Sequence, residues 1–178
     1  MFKRLPLALA LLSGSVLSAQ GALTRPALGF HLSNLAGDLA MGFDATSPTF
    51  LKGSLAFRAS ADLALRQGNP IAAPQAMTSE GYGVGKLGVV GMGGRVAEGI
   101  RVYGEGGFLF ASPKPSFSKE PSRLGGYGHF GFEFLLGKRG SYFIELGTVG
   151  LNAHADRQVG SPIYLNGFAV GTGMRIYL

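Results

Sequence analysis

From residue 164 to residue 178 the chain reads YLNGFAVGTGMRIYL, and its character alternates residue by residue. Tyr164, Asn166, Phe168, Val170, Thr172, Met174, Ile176 and Leu178 share one parity; Leu165, Gly167, Ala169, Gly171, Gly173, Arg175 and Tyr177 share the other. The first face is largely apolar, and the second is small or polar and carries the only charge. Period two is the signature of a strand. A water-soluble sheet seldom leaves such a strand as a bare edge, and a closed ring removes the edge altogether. The stretch therefore predicts the closing strand of a β-barrel.

Seven further strands are predicted upstream, over residues 26–33, 38–45, 50–66, 82–96, 100–112, 125–137 and 141–153. The third is the clearest. Leu51, Leu55, Phe57, Ala59, Ala61, Leu63 and Leu65 oppose Lys52, Ser54, Arg58, Ser60, Asp62 and Arg66, so one whole face is polar and the strand cannot lie inside a parallel sheet. In the fourth, Arg95 falls on the apolar parity. A bulge at Gly93–Gly94 restores the register, or the charge snorkels at a membrane edge. The first two strands read as short for a membrane crossing of about 9–11 residues. Brief links are expected at 46–49, 97–99 and 138–140, and longer ones, rich in Pro, Ser and charge, at 67–81, 113–124 and 154–163. Short turns on one rim and long loops on the other describe an outer-membrane barrel; only the first loop, 34–37, is shorter than that pattern.

Composition agrees. The 178 residues hold 30 glycines and 13 phenylalanines, with 15% charged residues and a positive mean hydropathy. After residue 20 no apolar run approaches the ~20 residues of a membrane helix, so the hydrophobicity is spread over alternating strands. Cysteine is absent, which excludes disulfides and thiolate metal sites. Lys3 and Arg4 precede a short apolar run and the small residues Ser18, Ala19 and Gly21, so residues 1–20 are expected to be a cleaved signal peptide and 21–178 the barrel.

Alternation alone leaves open which face points outward, since a lipocalin-like soluble barrel and a membrane barrel are inversions of each other. Three features favour lipid outside. Phenylalanines cluster on the apolar parity, as at Phe130, Phe132 and Phe134. Glycines recur on the polar parity, leaving room for long side chains within. That parity also balances Lys52, Arg58, Arg66, Lys86, Arg101 and Arg175 against Asp38, Asp44, Asp62, Glu105, Glu133 and Glu145, as a salt-bridged interior requires. Tyr142 at the turn end, with Tyr82 and Tyr164 at the loop end, are expected to mark the membrane interfaces.

The segment VYGEGGFLF (102–110), the run GHFGFEFLLGKRGSYFIELG (128–147) and the ending GFAVGTGMRIYL together resemble the small eight-stranded outer-membrane barrels of the OmpA/OmpX-like, opacity-protein type. That resemblance implies an all-β, up-and-down antiparallel barrel, inserted by an outer-membrane assembly machinery and surrounded by membrane lipids. It names no ligand.

The chemistry-bearing candidates are few. His31-Leu32-Ser33-Asn34 resembles the His-x-Ser-Asn of lipid A deacylases, in which a His activates a Ser nucleophile. The family's motif lies late in the chain, and this one is on the first strand with no acid assignable from spacing. His129 with Glu133, and Arg101 with Glu105, share the lumen parity and read as ion pairing. Residues 113–123, PKPSFSKEPSR, are basic and could meet acidic envelope glycans or lipid headgroups. Gly83-x-Gly85 and Gly91-x-Gly93 lack the following helix and Lys-Ser/Thr of a nucleotide loop. No catalytic residue, cofactor, metal or nucleic-acid partner is expected. The sequence reads as a structural or surface-interaction barrel, with a narrow solute channel as the alternative and a deacylase-like enzyme or soluble binder behind it.

Overall fold

The computed structural model describes residues 25–178; the expected signal peptide lies outside the described residues. Eight strands, β1 (Ala27–Leu35), β2 (Asp38–Thr46), β3 (Leu55–Gly68), β4 (Thr78–Ala97), β5 (Ile100–Ser112), β6 (Arg123–Leu136), β7 (Gly140–His154) and β8 (Ile163–Tyr177), follow one another round a closed antiparallel ring. β8 closes it on β1, from Ala27 opposite Tyr177 to Leu35 opposite Ala169. β1 and β2 are nine residues each, long enough to cross.

The faces are sorted as a lipid-facing barrel requires. Phe30, Phe43, Phe57, Phe108, Phe110, Phe130 and Phe168 are all exposed on the outside, Phe43 and Phe108 by 68%. Arg58, Asp62, Arg66, Arg101, Glu105, Glu133 and Arg175 are buried within. An apolar belt around a charged interior reverses the order of a soluble protein and has a favourable solvent only in hydrocarbon. The soluble lipocalin-like alternative is thereby set aside.

Several boundaries differ from expectation. β3 begins at Leu55, not Phe50. Leu51, Lys52 and Gly53 take positive φ (46°, 59° and 83°) and form a turn that the Phe50–Leu55 bridge closes. Alternation ran on through this turn, and Lys52 is exposed on the rim, not in the lumen. The β2–β3 link accordingly spans 47–54, longer than the 46–49 expected. In β4 the pairing with β5 slips between Met92 and Arg95, the bulge expected at Gly93–Gly94. The same pairing slips again between Arg95 and Ala97, and a slip between Gly150 and Ala153 opposite β8 was not expected either; Asn152 and Leu165 lie within it with φ of 53° and 50°. It turns both Tyr164 and Leu165 inward. Tyr82 is equally buried, so neither tyrosine marks an interface, whereas Tyr142 is exposed.

The one short connection at the loop end is a two-residue hairpin turn. Ala36 and Gly37 both have positive φ, 55° and 102°, the geometry of a type I′ turn, and Asn34 Oδ1 accepts the Gly37 N–H at 2.8 Å. Alanine tolerates this conformation poorly, and Asn is among the residues that adopt it routinely. Ala36→Asn is therefore expected to raise stability by about 1 kcal/mol, read as a later midpoint in urea titrations of the folded barrel.

A charged lumen as the candidate functional site

Inward parity brings the ionised residues of seven strands into one interior, where each finds partners across strands. Nearest the short turns, Arg101 donates to Glu133 directly opposite on β6, with its Nε at 3.1 Å. Glu133 also accepts from Ser141 Oγ at 2.5 Å and from the Tyr177 hydroxyl.

At mid-height Arg175 donates Nε to Asp44 at 3.1 Å, and its Nη2 stands 3.5 Å from Glu145. Its guanidinium lies 4.0 Å over the Phe143 ring. Arg58 donates to Glu105, to Glu145 at 3.1 Å and to Thr46 Oγ1 at 2.9 Å. Tyr103 and Tyr127 donate to Glu145 (2.5 Å) and Glu105 (2.6 Å). Glycines make the room. A Cβ at Gly131 would fall 2.3 Å from the Tyr103 ring, and one at Gly29 would fall 2.3 Å from Asp44. A lumen glycine here is the space occupied by a neighbour's side chain.

His31 occupies the same layer. Its Nε2 is 2.5 Å from Asp62 Oδ1 and its Nδ1 is 3.7 Å from Asp44 Oδ2, while Lys86 reaches Asp62 at 3.4 Å. The sixth cation expected in the lumen, Lys52, is outside; His31 stands between two carboxylates in its place. A histidine read along its own strand does not disclose partners on β2 and β3, so this arrangement was not legible from sequence.

Towards the loops Arg66 binds Asp38 (3.3 Å) and Gln158 Oε1 (2.9 Å), and Tyr82 donates to Asp38 at 2.6 Å. Above this, Tyr82, Phe117 and Tyr164 pack edge to face with centroids 5.5–5.6 Å apart. Leu35, Leu151, Ala155 and Leu165 join them. Phe117 belongs to the basic stretch 113–123, so that stretch is anchored: Phe117 and Ser118 are buried, Ser118 Oγ donates to the His154 carbonyl at 2.8 Å, and Arg123 pairs with Glu120. The loops also border an open pocket of ≈ 300 Å³ lined by Gln67, Asn69, Pro74, Gln158 and Pro162, a wall without an ionised side chain.

The motif candidates resolve accordingly. Ser33 Oγ is buried and finds no protein partner, and both His31 nitrogens face carboxylates, so no base addresses the hydroxyl. Asn34 serves the turn. His129 packs tilted against Tyr127 (5.2 Å) and stands 3.9 Å from Glu145, while Glu133 is engaged elsewhere. Arg101 and Glu105 likewise find separate partners, Glu133 and Arg58. Shared parity along a strand thus predicted the compartment correctly but not the pairing, which runs between strands.

No family model and no curated protein matches the chain. Among solved structures, the crystal structure of the N-terminal β-barrel domain of Pseudomonas aeruginosa OprF superposes with a TM-score of 0.60 at 10% identity, over 87% of this chain and 98% of that one. So low an identity speaks for architecture alone, and the architecture is that of the small eight-stranded outer-membrane barrels: this chain has a closed, transmembrane-type antiparallel β-barrel fold.

Proposed function

We propose that this chain is an outer-membrane protein whose barrel is a closed, non-conducting body with a structural or surface-interaction role in the envelope. The filled lumen carries the reading. Three tiers of ion pairs and hydrogen bonds occupy the ring from Glu133 to Asp38, and the Tyr82–Phe117–Tyr164 cluster covers the loop end. An eight-stranded ring is just wide enough for its own side chains, and a continuous ionic network leaves no row of unpaired groups to conduct a solute. The expected signal peptide and the barrel fold both support an outer-membrane address, reached through the assembly machinery that handles such barrels. Exposed Lys114, Lys119 and Arg157 on the loops suit contact with acidic envelope glycans.

Planar-bilayer recording of the purified, heat-modifiable protein tests this. A silent membrane is expected. Discrete, reproducible openings would replace the proposal with the narrow solute channel, for which the ionised lumen would supply the lining. The deacylase-like reading predicts acyl release that Ser33→Ala abolishes; the enclosed, unpartnered Ser33 leads us to expect no such activity in either form.

A further inference from the structure

We infer that the short-turn rim is an anchoring ring for anionic phospholipid headgroups, a reading that rests on the membrane placement proposed above. Lys52 in the β2–β3 turn, Arg95 at the end of β4, and Lys138 and Arg139 in the β6–β7 turn are all exposed. Together they mark three points on the circumference: the β2–β3 turn, the end of β4 and the β6–β7 turn. Among the described residues none of the four side chains makes an ion pair, and Glu98 is the one acid in the turns between these strands.

The opposite rim differs. Its Lys114, Lys119, Arg123 and Arg157 stand among Glu80, Glu120 and Asp156. There Arg123 is paired with Glu120, and the Asp156 carboxylate accepts the Lys119 backbone N–H at 2.7 Å. Among the described residues only Arg123 of the loop-rim cations is ion-paired, but three acids offset the four there, whereas Glu98 alone offsets the four at the turn end, so the net positive charge is greater at the turn end.

What marks the occupant as lipid is the setting of these charges. Leu51 precedes Lys52, Val96 follows Arg95 and Leu136 lies two residues before Lys138, and all three apolar side chains are more than half exposed. The cations thus continue directly from the lower edge of the lipid-facing belt, at the height where acyl chains give way to phosphates. Long basic side chains lay their stems on apolar surface and carry their charge into the headgroup layer. Each such residue near an anionic leaflet adds about fivefold to the attraction, falling with ionic strength. The dipolar phosphatidylcholine headgroup, without net charge, offers less to a ring of net positive charge.

The chain contains no tryptophan, so a single reporter reads each rim of β6: Leu136→Trp at the turn end and Leu124→Trp at the loop end. The mature full chain is reconstituted in phosphatidylcholine vesicles containing either brominated phosphatidylglycerol or brominated phosphatidylcholine, and quenching gives the relative lipid occupancy. At the Leu136→Trp reporter the expected preference for phosphatidylglycerol is about fivefold or more at low salt. The combined variant Lys52→Gln, Arg95→Gln, Lys138→Gln and Arg139→Gln should bring it near unity while leaving the Leu124→Trp reporter unchanged. Lys52→Arg with Lys138→Arg should retain it, and heat-modifiable migration shows that each variant has folded.

Equal quenching by the two lipids, or a preference that survives the four glutamines, overturns the anchoring ring. So does wild-type protein that ignores phosphatidylglycerol but co-sediments with isolated peptidoglycan through the same four residues, because the ring then faces a polymer. If brominated phosphatidylcholine fails to quench either reporter, the membrane placement itself is wrong, an outcome distinct from an inserted barrel without lipid preference.

Discussion

Glu133→Ala is expected to destabilise the barrel by about 3–5 kcal/mol, the typical loss when one member of a buried ion pair is removed and the other is left behind. Glu133 is 1% exposed and is the acceptor on which the turn-end tier converges. Arg101, Ser141 and Tyr177 all donate to it, and Arg175 Nη1 stands 4.0 Å away. After truncation Arg101 keeps its contact to the Tyr177 hydroxyl at 3.0 Å but no carboxylate. The measurement is the urea midpoint of the folded, heat-modifiable form in detergent or vesicles. A companion variant separates lost attraction from stranded charge: Arg101→Met with Glu133→Leu fills the space and strands no charge of the pair, although the Ser141 and Tyr177 hydroxyls lose an acceptor, and should lose less than Glu133→Ala. If both variants fall equally far, the tier acts through shape and not through charge compensation.

Phe117→Ala is expected to cost about 3–5 kcal/mol as well, from lost burial and the cavity left behind. The ring is 1% exposed and packs on Tyr82 and Tyr164 at 5.6 and 5.5 Å. It is the element by which the link 113–122 plugs the barrel mouth. Part of the loss should appear locally: the link should become susceptible to protease added to intact vesicles, while the strands remain protected. Unchanged protease resistance would mean that backbone contacts, such as the Arg157 N–H on the Phe117 carbonyl at 3.0 Å, suffice to hold the loop.

The two sites differ in how far they could be read from sequence. Glu133 was assigned to the lumen by parity alone, as were Arg58, Asp62 and Arg175, because a strand's alternation reports its two faces directly. Partners were not legible, since Arg101–Glu133 and Asp44–Arg175 depend on which residues fall opposite or beside one another round the ring. Phe117 was invisible: it sits in a basic, proline-rich stretch with no period, and its burial comes from loop packing. Errors arose where the backbone departs from the extended form without a change in alternation. Leu51 and Lys52 continue the pattern of β3 but occupy a left-handed turn, and the irregularity that contains Asn152 and Leu165 turns Tyr164 inward although its parity points to lipid. By contrast, Gly93–Gly94 disclosed its bulge because Arg95 broke the pattern.

The mid-height tier has a bearing on how such a ring can enter a bilayer. Arg175 is on β8, and the two carboxylates it meets lie on β2 and β7. The Asp44 contact spans the seam where the first and last parts of the chain meet. Before that seam zips, a partly assembled sheet would present stranded ions and free strand edges to hydrocarbon, where neither has a partner. Passage into the membrane and completion of the circle must therefore be coupled, and a half-inserted, unclosed form has no low-energy resting place.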